Sequence, residues 1–203
     1  MKNLLTLCLL SIGLLVKAQT DGYQIGDVAA DFNLKNLDGK NLALADIKSA
    51  KGYIVIFTCN TCPYAVAYED RIIALNKKYA ALGYPVVAIN PNDPGAQSGD
   101  SYEKMQQRAK EKGFNFPYLM DPDHIITKQF GASRTPHVFL LQKTAKGNIV
   151  KYIGAIDSDT EGTNSDKIKY VENAIQAISA GRNPEVTTTK AIGCTIKWKK
   201  AGA

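Results

Sequence analysis

The chain has 203 residues, 45% of them apolar, and a formal charge of +6. That length suits one domain with extensions, and the apolar content supports a core that does not depend on disulfides, unlike a very small secreted domain. Lys2 and Lys17 supply two of the charges; the +4 that remains is too weak and too scattered to argue for nucleic acid.

Residues 1–18 read as a signal peptide. A positive start at Lys2 is followed by an apolar run from Leu4 to Val16, and Val16-Lys17-Ala18 gives a small-x-small cleavage pattern before Gln19. The run is short for a bilayer span of ~20 residues. Cys8 follows Leu-Thr-Leu, which lacks the small residue of a lipoprotein cut, so it is expected to leave with the leader. No later segment reads as a membrane span. The mature chain is expected to be exported, periplasmic or secreted, in a compartment where disulfides persist.

Residues 19–50 open the mature chain, with a hairpin expected about Asp38-Gly39. Residues 52–58, GYIVIFT, read as a buried strand ending at Cys59 and Cys62. Apolar residues then recur at helical spacing from Pro63 to Leu82, with Gly83 as the stop. A second buried strand is expected over 84–91, a polar loop over 92–101, then a polar helix, a short strand over 116–121 and a short helix over 124–131 closed by Gly131. Residues 137–156 read as a hairpin about Lys146-Gly147-Asn148. The last helix is expected from near Ser165 to Gly181, with Ile168, Val171, Ile175 and Ile178 on its core face. Residues 19–181 then form one α/β domain with a central sheet, and 182–203 a tail packing on it, anchored by Trp198. Lys197, Lys199 and Lys200 read as solvated.

Two thiols three positions apart admit three readings. Zinc needs two further ligands, and only Cys194, His124 and His137 remain, on distant segments, so no metal is expected. A structural staple closes so small a loop that it constrains the unfolded chain little. The redox reading has a physical basis. A cysteine at a helix N-terminus meets free N–H groups and the positive end of the helix dipole, both favouring thiolate. On that reading Cys59 lies exposed just outside the helix and Cys62, one turn in, is shielded. Pro63 fits the first turn, where its missing N–H costs nothing. Glu69 and Asp70, on the following helix, read as a solvated face.

The blocks FTCNTCPYAVAYEDR, VVAINPNDP, FPYLMDPDHIITKQFGASRTPHVFLL and IGCTIKW, in that order over most of residues 25–198, resemble the thioredoxin superfamily, and in particular its peroxiredoxin-like, redoxin-type bacterial members. The resemblance implies a thioredoxin-like three-layer fold: a central mixed sheet flanked by helices, with a redoxin-type insertion and an N-terminal hairpin. It implies Cys59 as nucleophile, Cys62 as resolving thiol, and Thr135-Pro136 as a cis-proline loop whose backbone pairs with an extended substrate. The function implied is thiol–disulfide exchange with an exported protein or small-thiol substrate and an unidentified electron partner, by a monomer whose only redox group is the Cys59–Cys62 disulfide. A peroxidase and a redox-inactive binding module are the alternatives. Thr58 stands where thioredoxins carry Trp, and Tyr53 where they carry a buried acid, so no proton acceptor is identified. A peroxidase signature needs Thr three residues before the reactive cysteine; Ile56 precedes Cys59 and Cys59 precedes Cys62 at that spacing. Arg134, beside the cis-proline, reads as a surface residue. Cys194 is either a small buried residue docking the tail or a third thiol that takes over the disulfide.

Overall fold

The structure, a computed structural model, describes residues 22–200; the expected signal peptide and Cys8 lie outside them. Strand β4 (Gly52–Phe57) sits inside the sheet and is buried along its whole length. Its run of aromatic and β-branched residues suits a strand covered on both faces. It pairs in parallel with β5 (Val86–Asn90) and antiparallel with β8 (His137–Thr144). Beyond β5 lie β6 (Tyr118–Met120) and the hairpin of β2 (Asn33–Asn36) and β3 (Asn41–Ala43), which turns at Asp38-Gly39. Beyond β8 lie β9 (Gly147–Gly154) and β1 (Val28–Ala29). The result is an eight-stranded mixed sheet.

The period of two in β4 divides the core. Ile54 and Ile56 face α1 (Pro63–Tyr79) and α4 (Tyr170–Ser179), packing on Tyr68, Ile72, Leu75, Val171, Ile175 and Ile178. Tyr53, Val55 and Phe57 face the other layer, with Phe32, Phe139 and, from α3 (Ile125–Phe130), Ile126 and Phe130. Helix α2 (Tyr102–Lys112) lies between β5 and β6 in the chain and packs Met105 against Tyr118. Two short strands, β7 (Arg134–Thr135) and β10 (Cys194–Thr195), pair with each other outside the main sheet. Among the described residues no helix is long and apolar enough to cross a membrane.

Two sequence expectations are corrected. The last helix begins at Tyr170, and Ile168 is 52% exposed rather than in the core. The Ile168 N–H donates to Ser158 Oγ and its carbonyl accepts from Ser158 N–H, so the backbone there is committed to a neighbouring loop before the helix starts. Glu69 is buried, not solvated: Arg108 of α2 reaches it through two hydrogen bonds of 2.7 Å, with Lys112 3.6 Å away. Asp70 is exposed, as expected.

The bidentate Arg108–Glu69 pair ties α2 to α1, and removing the guanidinium strands a buried carboxylate. Arg108→Ala is expected to lower the unfolding free energy by about 3 kcal/mol, with Lys112 compensating only in part. Urea unfolding measures it; an unchanged midpoint would contradict the assignment.

Candidate active site

β4 delivers the chain to Thr58, whose N–H still donates to Ile89. The four residues Cys59 to Cys62 then turn into α1, with Cys62 at the N-cap in extended conformation and Pro63 as the first helical residue. Asp100 holds this turn. Fully buried, it accepts hydrogen bonds from Asn60 N–H at 2.7 Å, Thr61 Oγ1 at 2.8 Å and Asn92 Nδ2 at 2.7 Å. Asn60 also donates from Nδ2 to Gly99 and accepts from the Tyr118 hydroxyl. Three donors on one buried carboxylate satisfy it without a cation. Sequence reasoning missed Asp100, which sits in a loop rich in Gly, Pro and Asp where no periodicity singles it out.

The Thr135–Pro136 peptide is cis, and Thr135 is fully buried beside both sulfurs. Its Oγ1 lies 3.2 Å from Cys59 Sγ, and its carbonyl oxygen accepts from Cys62 Sγ at 3.2 Å. The structure therefore brings Cys59, Cys62, Thr135 and Pro136 together from segments more than 70 residues apart. Cys194 joins them: β10 places it opposite Thr135, and its N–H donates to Cys62 Sγ at 3.3 Å. The three cysteines are free thiols in one cluster with Ala65.

The expected exposure of Cys59 is corrected. Cys59 and Cys62 are each 3% exposed, and the tail strand packs on the pair. The expected charge placement changes too. The Cys59 thiol donates to Cys62; the Cys194 thiol and the N–H groups of Ala65 and Cys194 add to that, and against the cost of burial they bring Cys62 down to about 4. Cys59 moves the other way. Its proton is held against Cys62, burial disfavours its anion, and the charge of Asp100 adds to both; the Thr135 hydroxyl and the Cys62 N–H oppose without reversing them. Cys194 is pushed up to about 11, chiefly by burial and by the neighbouring Cys62 sulfur. Position contributes: Cys62, not Cys59, stands at the N-cap of α1, at the positive end of the helix dipole, although its side chain makes no cap hydrogen bond there.

The other candidate groups are engaged elsewhere. His137 Nδ1 accepts from Ser133 N–H, and His124 Nε2 accepts from Lys199 N–H. Tyr53 donates its hydroxyl to the Leu44 carbonyl. Arg134 is exposed and donates to the Gly193 carbonyl.

Residues 25–152 match the model of the AhpC/TSA family. The chain belongs to that family. Its fold is thioredoxin-like, the mixed sheet with flanking helices that the sequence implied. The thiol-disulfide oxidoreductase ResA of Geobacillus thermodenitrificans is 26% identical to it over 60% of this chain and 66% of its own length. The peroxiredoxin Bcp of Escherichia coli is 27% identical over 52% of this chain and 63% of its own length. The crystal structure of a hypothetical protein from Sinorhizobium meliloti superposes with a TM-score of 0.81 at 32% identity, covering 91% of this chain and all of that one.

A thiol held low stays ionised until the pH falls through its pKa. In the reduced protein, thiolate absorbance near 240 nm is expected to persist at pH 6, fade as the pH approaches 4, and be lost in Cys62→Ser. Absorbance that develops only above about pH 8, as for a free thiol, would contradict this placement of charge.

Proposed function

We propose that this chain is an exported thiol–disulfide oxidoreductase that exchanges disulfides through Cys59 and Cys62. The observation that carries the proposal is one residue, Thr135, whose hydroxyl and carbonyl touch both sulfurs and whose strand edge, occupied here by β10, lies beside them. An extended peptide that takes the place of β10 can add along that edge, which aims its own sulfur at the pair. Export rests on the leader-like residues 1–18.

The polarity follows from the donors. Cys62 lies on the side of the pair that meets β10 and its thiol is held below the ordinary range, so in this proposal it attacks the incoming disulfide after giving up the proton it otherwise donates to the Thr135 carbonyl. One substrate sulfur bonds to Cys62 and the other leaves as a thiolate. Cys59 then gives up its proton, to that thiolate or to water, and attacks Cys62 Sγ. The mixed disulfide breaks, reduced substrate departs and Cys59–Cys62 is left oxidised. The reverse sequence is chemically equivalent. These roles are exchanged relative to those implied by the resemblance, because the helix cap is at position 62. The redox group is the cysteine pair itself. The partners proposed are a protein or small-thiol disulfide and a separate electron donor or acceptor.

A peroxidase is the second reading, favoured by the peroxiredoxin relatives and by the Thr135 hydroxyl beside Cys59 Sγ. It is weakened by Ile56, three residues before Cys59, which is wholly buried and has no hydroxyl to offer a peroxide.

Insulin reduction by dithiothreitol tests the proposal. The wild-type protein is expected to accelerate it, and Cys62→Ser to fall to the dithiothreitol blank. Cys59→Ser is expected to accumulate mixed disulfides that reducing agent releases. Full turnover by Cys62→Ser would refute the mechanism. Cysteine-dependent consumption of hydrogen peroxide without insulin reduction would favour the peroxidase, and inertness in both assays a binding module.

A further inference from the structure

The exchange mechanism leaves residues 193–199 unused, yet three independent features place them in its path. Strand β10 runs antiparallel to β7, with Cys194 opposite Thr135 and Thr195 opposite Arg134. That is the edge on which a substrate strand would add. Next, the Cys194 N–H donates to Cys62 Sγ at 3.3 Å, and its side chain packs against the cluster that holds that sulfur. Third, a Cβ on Gly193 would collide with the Thr135 carbonyl and crowd Pro136 N, so only glycine lets the chain lie this close.

This strand is seated rather than merely adjacent. Ile196 is buried in the core beside Phe32 and Phe130. Lys197 donates its N–H to Asn92 Oδ1 at 2.9 Å and accepts from Asp93 N–H at 2.8 Å. Trp198 packs on His124, which also accepts the Lys199 N–H. Packing is supplied by Ile196; Trp198 lies against His124 but is 42% exposed rather than a buried anchor, and neither contact explains a thiol turned to Cys62.

We infer that the tail is the chain's own substrate: Gly193-Cys194-Thr195 fills the substrate edge, and Cys194 is a third redox sulfur that exchanges with the Cys59–Cys62 disulfide at Cys62. The inference rests on the dithiol reading above. Cys194 loses its proton to solvent and its thiolate attacks Cys62 Sγ. The bond from Cys62 to Cys59 breaks, Cys62–Cys194 forms, and Cys59 leaves as a thiolate and takes up a proton. No electrons are gained or lost, so the step needs no further oxidant. It is intramolecular and so escapes the dilution that limits a free peptide. The oxidised protein then carries its disulfide between body and tail. Gly193 also describes the external substrate: an extended segment with glycine before the reactive cysteine, since a larger residue there meets the Thr135 carbonyl.

The test is disulfide mapping of the full chain after oxidation with diamide, with free thiols blocked by N-ethylmaleimide before trypsin. Cys59 and Cys62 fall in peptide 52–71 and Cys194 in peptide 191–197. The expected product links these two peptides with Cys59 blocked. Cys59→Ser is expected to keep the link and Cys62→Ser to lose it. Gly193→Ala, which pushes the tail off the edge and leaves all three thiols in place, is expected to reduce the link at least about threefold and to lower KM for insulin by a similar factor. A disulfide confined to peptide 52–71, with Cys194 fully blocked, overturns the inference and leaves the dithiol reading standing. No disulfide in either peptide overturns both.

Discussion

The organisation of the site depends on the contact between Thr135 and the two cysteine sulfurs. One buried residue offers its hydroxyl to Cys59, its carbonyl to Cys62 and its strand edge to the tail. Everything else acts to keep those atoms in register. β4 carries the cysteines to the end of a strand buried on both faces, and β8, paired with β4 as far as Phe57–His137, starts directly after Pro136. The two halves of the site are thus ends of neighbouring strands, and the sheet sets their separation.

The segment between β5 and β6 supplies the second constraint. Asp100 fixes the backbone between the cysteines, while Asn92 donates to Asp100 and accepts from the tail at Lys197. A single asparagine thus couples the turn that positions the dithiol to the strand that covers it. Glu69 and Arg108 lock the same segment to α1, so the cap of that helix, its buried face and the inserted elements form one connected support. That support also sets the surroundings of Cys62, whose thiol is held low chiefly by Cys59 and further by the tail and the start of α1.

Much of this was legible in the sequence. The apolar run before Cys59, Pro63 after Cys62 and the helical period to Leu82 are strong local signals, and the helix and its 3-10 extension end there, at Gly83. Thr135-Pro136 was legible only in the company of the cysteines. The rest depends on contacts no local pattern encodes. Asp100 lies in a loop, and its partners are fixed only once that loop folds over the turn. Glu69 looked like a surface charge because its partner is on a helix 39 residues away. The start of α4 was placed too early because Ser158 claims the backbone of Ile168, a tertiary choice that overrides helical spacing. Gly193 gave no sign of its role, because the steric limit comes from Thr135.

The central claim is that Cys62 is the ionised sulfur through which the others communicate. Its most direct test is competitive labelling of the reduced full chain with substoichiometric iodoacetamide at pH 6, with the label assigned to each cysteine by peptide sequencing. The expected result is modification of Cys62 ahead of Cys59 and Cys194. Label appearing first on Cys59 would place the charge on the other sulfur and contradict the account.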